Sequence, residues 1–209
     1  HRYRMHFKKY LYNIMTRIFM EFFETVIKRR SVRAFKPDPV EEWKINRLLE
    51  VANLAPSAGD LQAYEIVVVK DKERKRKLSV AALGQDFIEE APVVFVFLSN
   101  PKRSARRYGR RGTELYCIQD ATIAAAYLQL AATALGLGSV WVGAFHDGEV
   151  SECVNAGELR PVAIIPIGYP AEEPPLTPRR GVNSIAYSET FGEPYEYTPT
   201  DKMFLRPKY

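Results

Sequence analysis

The chain predicts a mixed body of alternating helices and strands, and three observations carry that expectation. Two short runs, residues 64–69 and 93–98, are rich in β-formers and read as buried strands. A long alanine-rich run, residues 114–135, is apolar almost all round, as in a helix buried between other elements or subunits. Hydrophobic residues make up 46% of the 209 residues and charged ones 26%, enough to pack a core and too apolar for global disorder. The length suits one domain, or one domain with arms.

The elements follow in order. Residues 1–20 hold five basic residues and no acid, with Phe7, Tyr10, Leu11, Ile14 and Ile18 at helical spacing. This segment reads as an arm on a partner subunit, a membrane-surface or targeting helix, or sequence upstream of a start at Met20. Asp38-Pro39 before Glu41 and Glu42 marks a helix start, with an apolar face at Ile45, Leu48, Leu49 and Ala52. The two strands come next, the second introduced by Pro92. Gly136 and Gly138 end the long helix, and residues 139–142 restart as a strand. Residues 161–167 form the last clear strand. From Pro170 the chain is rich in proline, tyrosine and charge, and wraps over another surface rather than making a core.

Composition and motifs exclude several chemistries. Thirty Lys and Arg against 25 acids give a net charge of +5, which does not demand nucleic acid. Two cysteines, Cys117 and Cys153, make no disulfide scaffold and fit a reducing, cytoplasmic setting. Both read as structural. No apolar run is long enough for a membrane span, so stable membrane insertion is not expected. There is no phosphate loop of the GxxxxGK type, no HExxH, no CxxC and no GxSxG, and Gly136 and Gly138 lack the third glycine of a dinucleotide fingerprint. Two basic runs remain. Residues 72–77 (KERKRK) read as a solvated helix face; residues 102–111, six of them basic, read as a solvated face or as a site entrance for an anionic substrate, a reduced nicotinamide cofactor included.

Three segments are polar where a core element would not be. Arg29, Arg30, Ser31 and Arg33 alternate charge and hydroxyl in an extended stretch suited to a phosphate and to ring oxygens. Residues 55–62 (APSAGDLQ) combine small residues, which allow close backbone approach to a flat ligand, with the hydrogen-bonding Ser57, Asp60 and Gln62. Residues 138–144 (GSVWVGA) can present backbone N–H groups.

In this order the segments resemble the nitroreductase family of FMN-dependent oxidoreductases. The match runs over residues 21–191. It is carried by RRSVRAF at 29–35, APSAGDLQ at 55–62, EEAPVVFVF at 89–97, YCIQDATIAAAYLQLAATALGLGSVWVGAF at 116–145, PVAIIPIGYP at 161–170, and Arg179-Arg180. The resemblance implies an α+β fold with a central, mostly antiparallel sheet flanked by helices. Two subunits would intertwine as a homodimer with FMN at the interface. Residues 1–20 would be an arm, 21–191 the FMN-binding domain and 192–209 a tail. Arg29, Ser31 and Arg33, with Arg30 between them, look like phosphate and ring-edge contacts, and Arg179 and Arg180 like the basic residues that close on the phosphate. Pro56, Ser57, Ala58, Asp60 and Gln62 look like the loop from the other subunit. Gly143 and Ala144 look like backbone donors to the flavin, beside Trp141 and Val142, and Gln85 like a polar flavin contact. Asp60 departs from the asparagine common in the family.

Hydride transfer through bound FMN needs no nucleophile or metal, so neither a catalytic side chain nor a metal ligand is expected. The implied activity carries hydride from NADH or NADPH, a transient donor, to a nitroaromatic, quinone or similar flat acceptor in ping-pong turnover. Family variants that dehalogenate, cleave flavin or oxidise heterocycles are alternatives. A non-catalytic flavin sensor and a cofactor-free structural dimer are the rivals from other classes. The short stretch between Leu98 and Glu114 suggests an open site with little lid.

Overall fold

The structure, a computed structural model, describes residues 22–199. Expectations for residues 1–20 therefore lie outside the described residues. The chain divides into two units, His1–Pro174 and Pro175–Tyr209.

In the first unit, α1 (Phe22–Lys28) leads through an extended stretch to α2 (Glu42–Asn53) and a 3-10 turn (Ala58–Asp60). β1 (Tyr64–Val69), α3 (Lys72–Ala81), the short α4 (Phe87–Glu90) and β2 (Val93–Ser99) follow. Then come α5 (Pro101–Arg111), a wide π turn (Gly112–Tyr116) and the long α6 (Cys117–Ala134). β3 (Gly138–Ser139), α7 (Asp147–Val154) and β4 (Arg160–Gly168) complete it. The sheet order is β1-β2-β4-β3, every pair antiparallel. The expected α+β class, with helices on an antiparallel sheet, is what the chain forms.

β2 explains the core. Its side chains alternate between two apolar clusters, one on each face of the sheet. Val93, Phe95 and Phe97 pack with Leu48 and Ala52 of α2 and with Ala121, Ala125 and Leu128 of α6. Val94, Val96 and Leu98 pack with Leu78 of α3 and Val150 of α7. Helices cover both faces, so β2 is an unbroken apolar run although the sheet is antiparallel.

Several local expectations are corrected. β1 is an edge strand, buried only at Tyr64 and Val69. Its ladder runs on one side, to β2. The helix after Asp38-Pro39 begins at Glu42, because Val40 is buried in the preceding extended stretch. The long helix is α-helical only from Cys117, after the π turn, and within the single chain Thr122, Ala126 and Tyr127 are exposed, the face left for the expected subunit. The strand expected at 139–142 is two residues, with Val142 making a single bridge to Ile164. The KERKRK run is not simply a solvated face. Lys75 is buried, its ammonium donating to Ala91 O at 2.6 Å, and Arg74 reaches Cys153 O at 2.6 Å.

The second unit has little regular structure. Its described residues form a 3-10 turn (Val182–Ser184), a bridge between Tyr187 and Pro194, and a tilted ring contact between Tyr187 and Phe191. Ile185, Phe191 and Tyr195 are exposed, in line with a segment that makes no core of its own.

Candidate functional site

The arginine segment leaves α1 with Arg29 N–H donating to Thr25 O at 2.9 Å. It then runs parallel to β3. Ser31 bridges Ser139, and Val32 N–H donates to Ser139 O at 3.0 Å. Gly138 permits this approach, since a Cβ there would lie 2.9 Å from the Val32 side chain. Further on, Lys36 N–H donates to Tyr169 O and Ala171 N–H to Ala34 O, at 2.8 and 2.9 Å. The segment is thus clamped between β3 and the chain leaving β4. Glu172 Oε1 accepts the N–H of Arg33 at 2.6 Å, while the Arg33 side chain is exposed. Arg30 behaves differently from its neighbours: its guanidinium turns back to Ile27 O and Arg29 O, carbonyls at the end of α1.

The chain beyond β3 carries the second segment. Val142 is fixed to Ile164 by a reciprocal pair of backbone bonds at 3.0 Å. Trp141 is half-buried, and its Nε1 would lie 3.2 Å from a Cβ at Gly143. Gly143 and Ala144 are exposed, and among the described residues their N–H groups donate to no protein acceptor. Gln85 Nε2 donates to Ala82 O at 2.8 Å and to Ala144 O at 3.3 Å. The arginine segment thus joins β3 at Ser139, and Gln85 joins the same run of chain further on, at Ala144.

The loop at 56–62 is built elsewhere. Three residues in four, Gly59, Asp60 and Gln62, have positive φ of 59°, 56° and 46°. Asp, like Asn, tolerates that region better than most side chains, so the backbone admits either residue at 60. Ser57 Oγ accepts Gln62 N–H at 3.0 Å, and Gln62 Nε2 donates to Asn53 O and Oδ1 at 3.0 Å. Pro56, Ser57 and Ala58 line a cleft of about 480 Å³ with Tyr116, Ile118, Gln119, Thr122 and Ile123. Among the described residues, no hydrogen bond joins this loop to the arginine segment or to residues 141–144.

Sequence reasoning missed the residue that holds the loop. Asp120, 2% exposed on α6, accepts Ala58 N–H and Ala63 N–H. Its signal was present: a single acid inside an apolar helix requires partners. α5 meets the same loop: Arg103 donates to Gln62 O at 3.0 Å and Arg107 approaches Gly59 O at 3.5 Å.

Arg179 and Arg180 belong to the second unit. Arg179 Nη1 meets Thr177 O at 3.5 Å, and Arg180 meets Ser184 O. Burial pushes the thiols of Cys117 and Cys153 above their ordinary value, which disfavours thiolate chemistry at neutral pH.

A profile of the Nitroreductase family matches residues 26–85 and 74–169, most of the chain. The chain is 34% identical over 175 residues to a NADH dehydrogenase of Thermus thermophilus, spanning 70% of this chain and 85% of that one. It is 30% identical over 186 residues to an FMN reductase [NAD(P)H] of Bacillus subtilis, spanning 82% and 74%. The NADPH:FMN oxidoreductase of Vibrio harveyi, solved in complex with NAD+, superposes with a TM-score of 0.76 at 26% identity, spanning 82% of this chain and 78% of that one. Fold and relatives define an oxidoreductase class. The chain belongs to the Nitroreductase family.

Proposed function

We propose that the protein is an FMN-dependent oxidoreductase that carries hydride from NADH or NADPH to a flat, electron-poor acceptor such as a nitroaromatic or quinone. One observation supports this most. The arginine segment is clamped to β3 at Ser139, and the chain leaving β3 carries, a few residues on, two exposed N–H groups, at Gly143 and Ala144, that have no acceptor among the described residues. That donor set fits FMN: cationic forks for a phosphate, and backbone donors for an electron-rich ring edge.

In this reading Arg29 and Arg33 hold the phosphate, and Ser31 meets the ring edge. Arg30, engaged with the end of α1, shapes the segment instead. The N–H groups of Gly143 and Ala144 would donate to an electron-rich edge of the flavin ring, bonds that strengthen where the ring takes up negative charge. Trp141 and Val142 fix that donor strand, and the Gln85 amide steadies Ala144. Bound FMN supplies the hydride-carrying ring, so the chain needs no nucleophile, metal or acid–base pair. Donor and acceptor use the same open face in turn, giving ping-pong kinetics.

The site is completed by a second copy of the chain. The 56–62 loop has the small, turn-rich surface expected beside a flat ring, yet within one chain it is tied to α6 rather than to the arginine segment. The exposed Thr122, Ala126 and Tyr127 of α6 suit a subunit contact. No described helix is long and apolar enough to cross a membrane.

An absorbance spectrum before and after anaerobic NADH or NADPH tests this reading. A flavin band that bleaches with either donor is expected. A protein that takes up no FMN, or whose flavin neither donor reduces, contradicts it.

A further inference from the structure

We propose that a rim built by Arg107, Tyr108, Tyr116 and Arg111 holds the adenosine phosphates of the nicotinamide donor. This deepens the oxidoreductase reading and rests on it.

Four side chains form one continuous row. The Arg107 guanidinium lies 5.5 Å from the ring centre of Tyr108. Tyr108 meets Tyr116 edge-on, with ring centres 5.0 Å apart. Arg111 lies 5.4 Å from the centre of Tyr116 and donates to its hydroxyl at 3.0 Å. Tyr116 is also a wall of the 480 Å³ cleft that Pro56, Ser57 and Ala58 line. The far end of the row rests on the same loop: a Cβ at Gly59 would lie 2.9 Å from Arg107 Nη1 and closer still to the Tyr108 hydroxyl. The row therefore takes in one wall of the cleft, at Tyr116, and reaches at its other end the loop that lines it.

Charge selects the occupant. Two of the nearby carboxylates are already paired, Glu65 with Arg103 at 3.0 Å and Glu114 with Arg110 at 2.7 Å, and Asp60, next to Gly59, forms no ion pair with either arginine of the row among the described residues. Lys102 is paired with Glu158. Among the described residues neither Arg107 nor Arg111 has a carboxylate partner, so two guanidinium groups flank two rings with their charge uncompensated. A guanidinium fork matches phosphate oxygens bidentately, and tyrosine rings stack on a planar base. A purine nucleotide carrying phosphates presents both features together. A neutral acceptor presents neither charge, and a simple aromatic acid uses only part of the row.

The proposal separates donors by their adenosine half. It is tested on the purified full chain by titrating 2′,5′-ADP calorimetrically into wild type, into the double variant Arg107→Ala/Arg111→Ala, and into Arg106→Ala. Arg106, on the same helix, removes the same kind of charge but is in neither ring contact. Expected are binding by wild type, weakening of at least about tenfold in the double variant, and a change within about twofold in Arg106→Ala. In turnover the KM for NADPH should rise by a similar factor. The KM for reduced nicotinamide mononucleotide, which lacks the adenosine half, should stay within about twofold. No binding by wild type, equal weakening in Arg106→Ala, or an equal loss with reduced nicotinamide mononucleotide overturns the assignment. The flavin spectrum keeps the two readings apart. A chain with a donor-reducible flavin but no 2′,5′-ADP binding loses only the rim; a chain that binds 2′,5′-ADP through the rim but takes up no flavin loses only the oxidoreductase reading.

Discussion

The buried carboxylate of Asp120 accepts the N–H of Ala58 at 2.9 Å, and its second oxygen accepts Ala63 N–H at 3.2 Å. One side chain on α6 thus holds both ends of a loop whose residues have left-handed backbone and little packing of their own. Removing it leaves two N–H groups near the core without a partner. Asp120→Ala should cost on the order of 3 kcal/mol in urea unfolding. Asp120→Asn should lose less, keeping one acceptor but turning an amide N–H₂ toward the other donor. An unfolding midpoint equal to wild type in Asp120→Ala would show that the loop holds itself.

Gly59 allows α5 to close on that loop. Gly59→Ala should destabilise the chain by about 1–2 kcal/mol, because φ of 59° places an ordinary side chain in the left-handed region. The added methyl meets the flexible ends of Tyr108 and Arg107, which swing away rather than force the backbone apart. Denaturant unfolding should show the loss, and tyrosine-sensitive near-ultraviolet dichroism the displacement. Wild-type values for both would contradict the close approach.

Much of this fold was legible in the sequence, and the failures have a common cause. Strands β1 and β2 and the helical run before Leu135 could be read because burial leaves its mark on the residues themselves. The helix start was misplaced because Asp38 is a good cap in isolation, whereas the burial of Val40 decides the chain's path. Lys75 looks like surface in the sequence because nothing local shows that Ala91 O accepts from its ammonium. The arginine segment and the Gly143–Ala144 donors stood out as local patterns. Asp120, Glu172 and the row from Arg107 to Arg111 act across long sequence separations, and only the folded chain brings them to their partners.

Glu41 and Tyr169 give a pH signature. The Tyr169 hydroxyl lies 2.8 and 2.7 Å from the two oxygens of Glu41, and Lys44 lies 3.4 Å from one of them. The Tyr169 hydrogen bond first, then the bond from Glu41's own backbone N–H and the nearby Lys44 charge, hold the Glu41 carboxyl below its ordinary value of 4.5. A carboxyl with a lowered folded value stabilises the native state above its unfolded value, and that contribution is lost as pH falls through the folded one. Tyr169→Phe should therefore lower stability at pH 7 and flatten the loss seen on acidification below about 4.5. Parallel stability–pH curves for the two proteins would rule out the coupling.

The phosphate assignment predicts a graded response. Arg29→Ala and Arg33→Ala should each retain less FMN through purification, with dissociation constants raised about tenfold or more. Glu172→Ala should have a smaller effect in the same direction, since it releases the Arg33 backbone but leaves the guanidinium in place. Unchanged flavin affinity in both arginine variants would remove the phosphate from this segment.

The central claim is that one flavin lies between the arginine segment of one copy and the 56–62 loop of another. It is tested most directly by complementation. Arg29→Ala/Arg33→Ala and a loop variant such as Ala58→Asp should each bind no FMN alone. Unfolded together and refolded, they should recover about a quarter of the wild-type flavin, because half of the dimers are mixed and each mixed dimer contains one site with both parts intact. No recovery in mixed dimers, once their formation has been confirmed by differential tagging, would contradict a site shared between two chains.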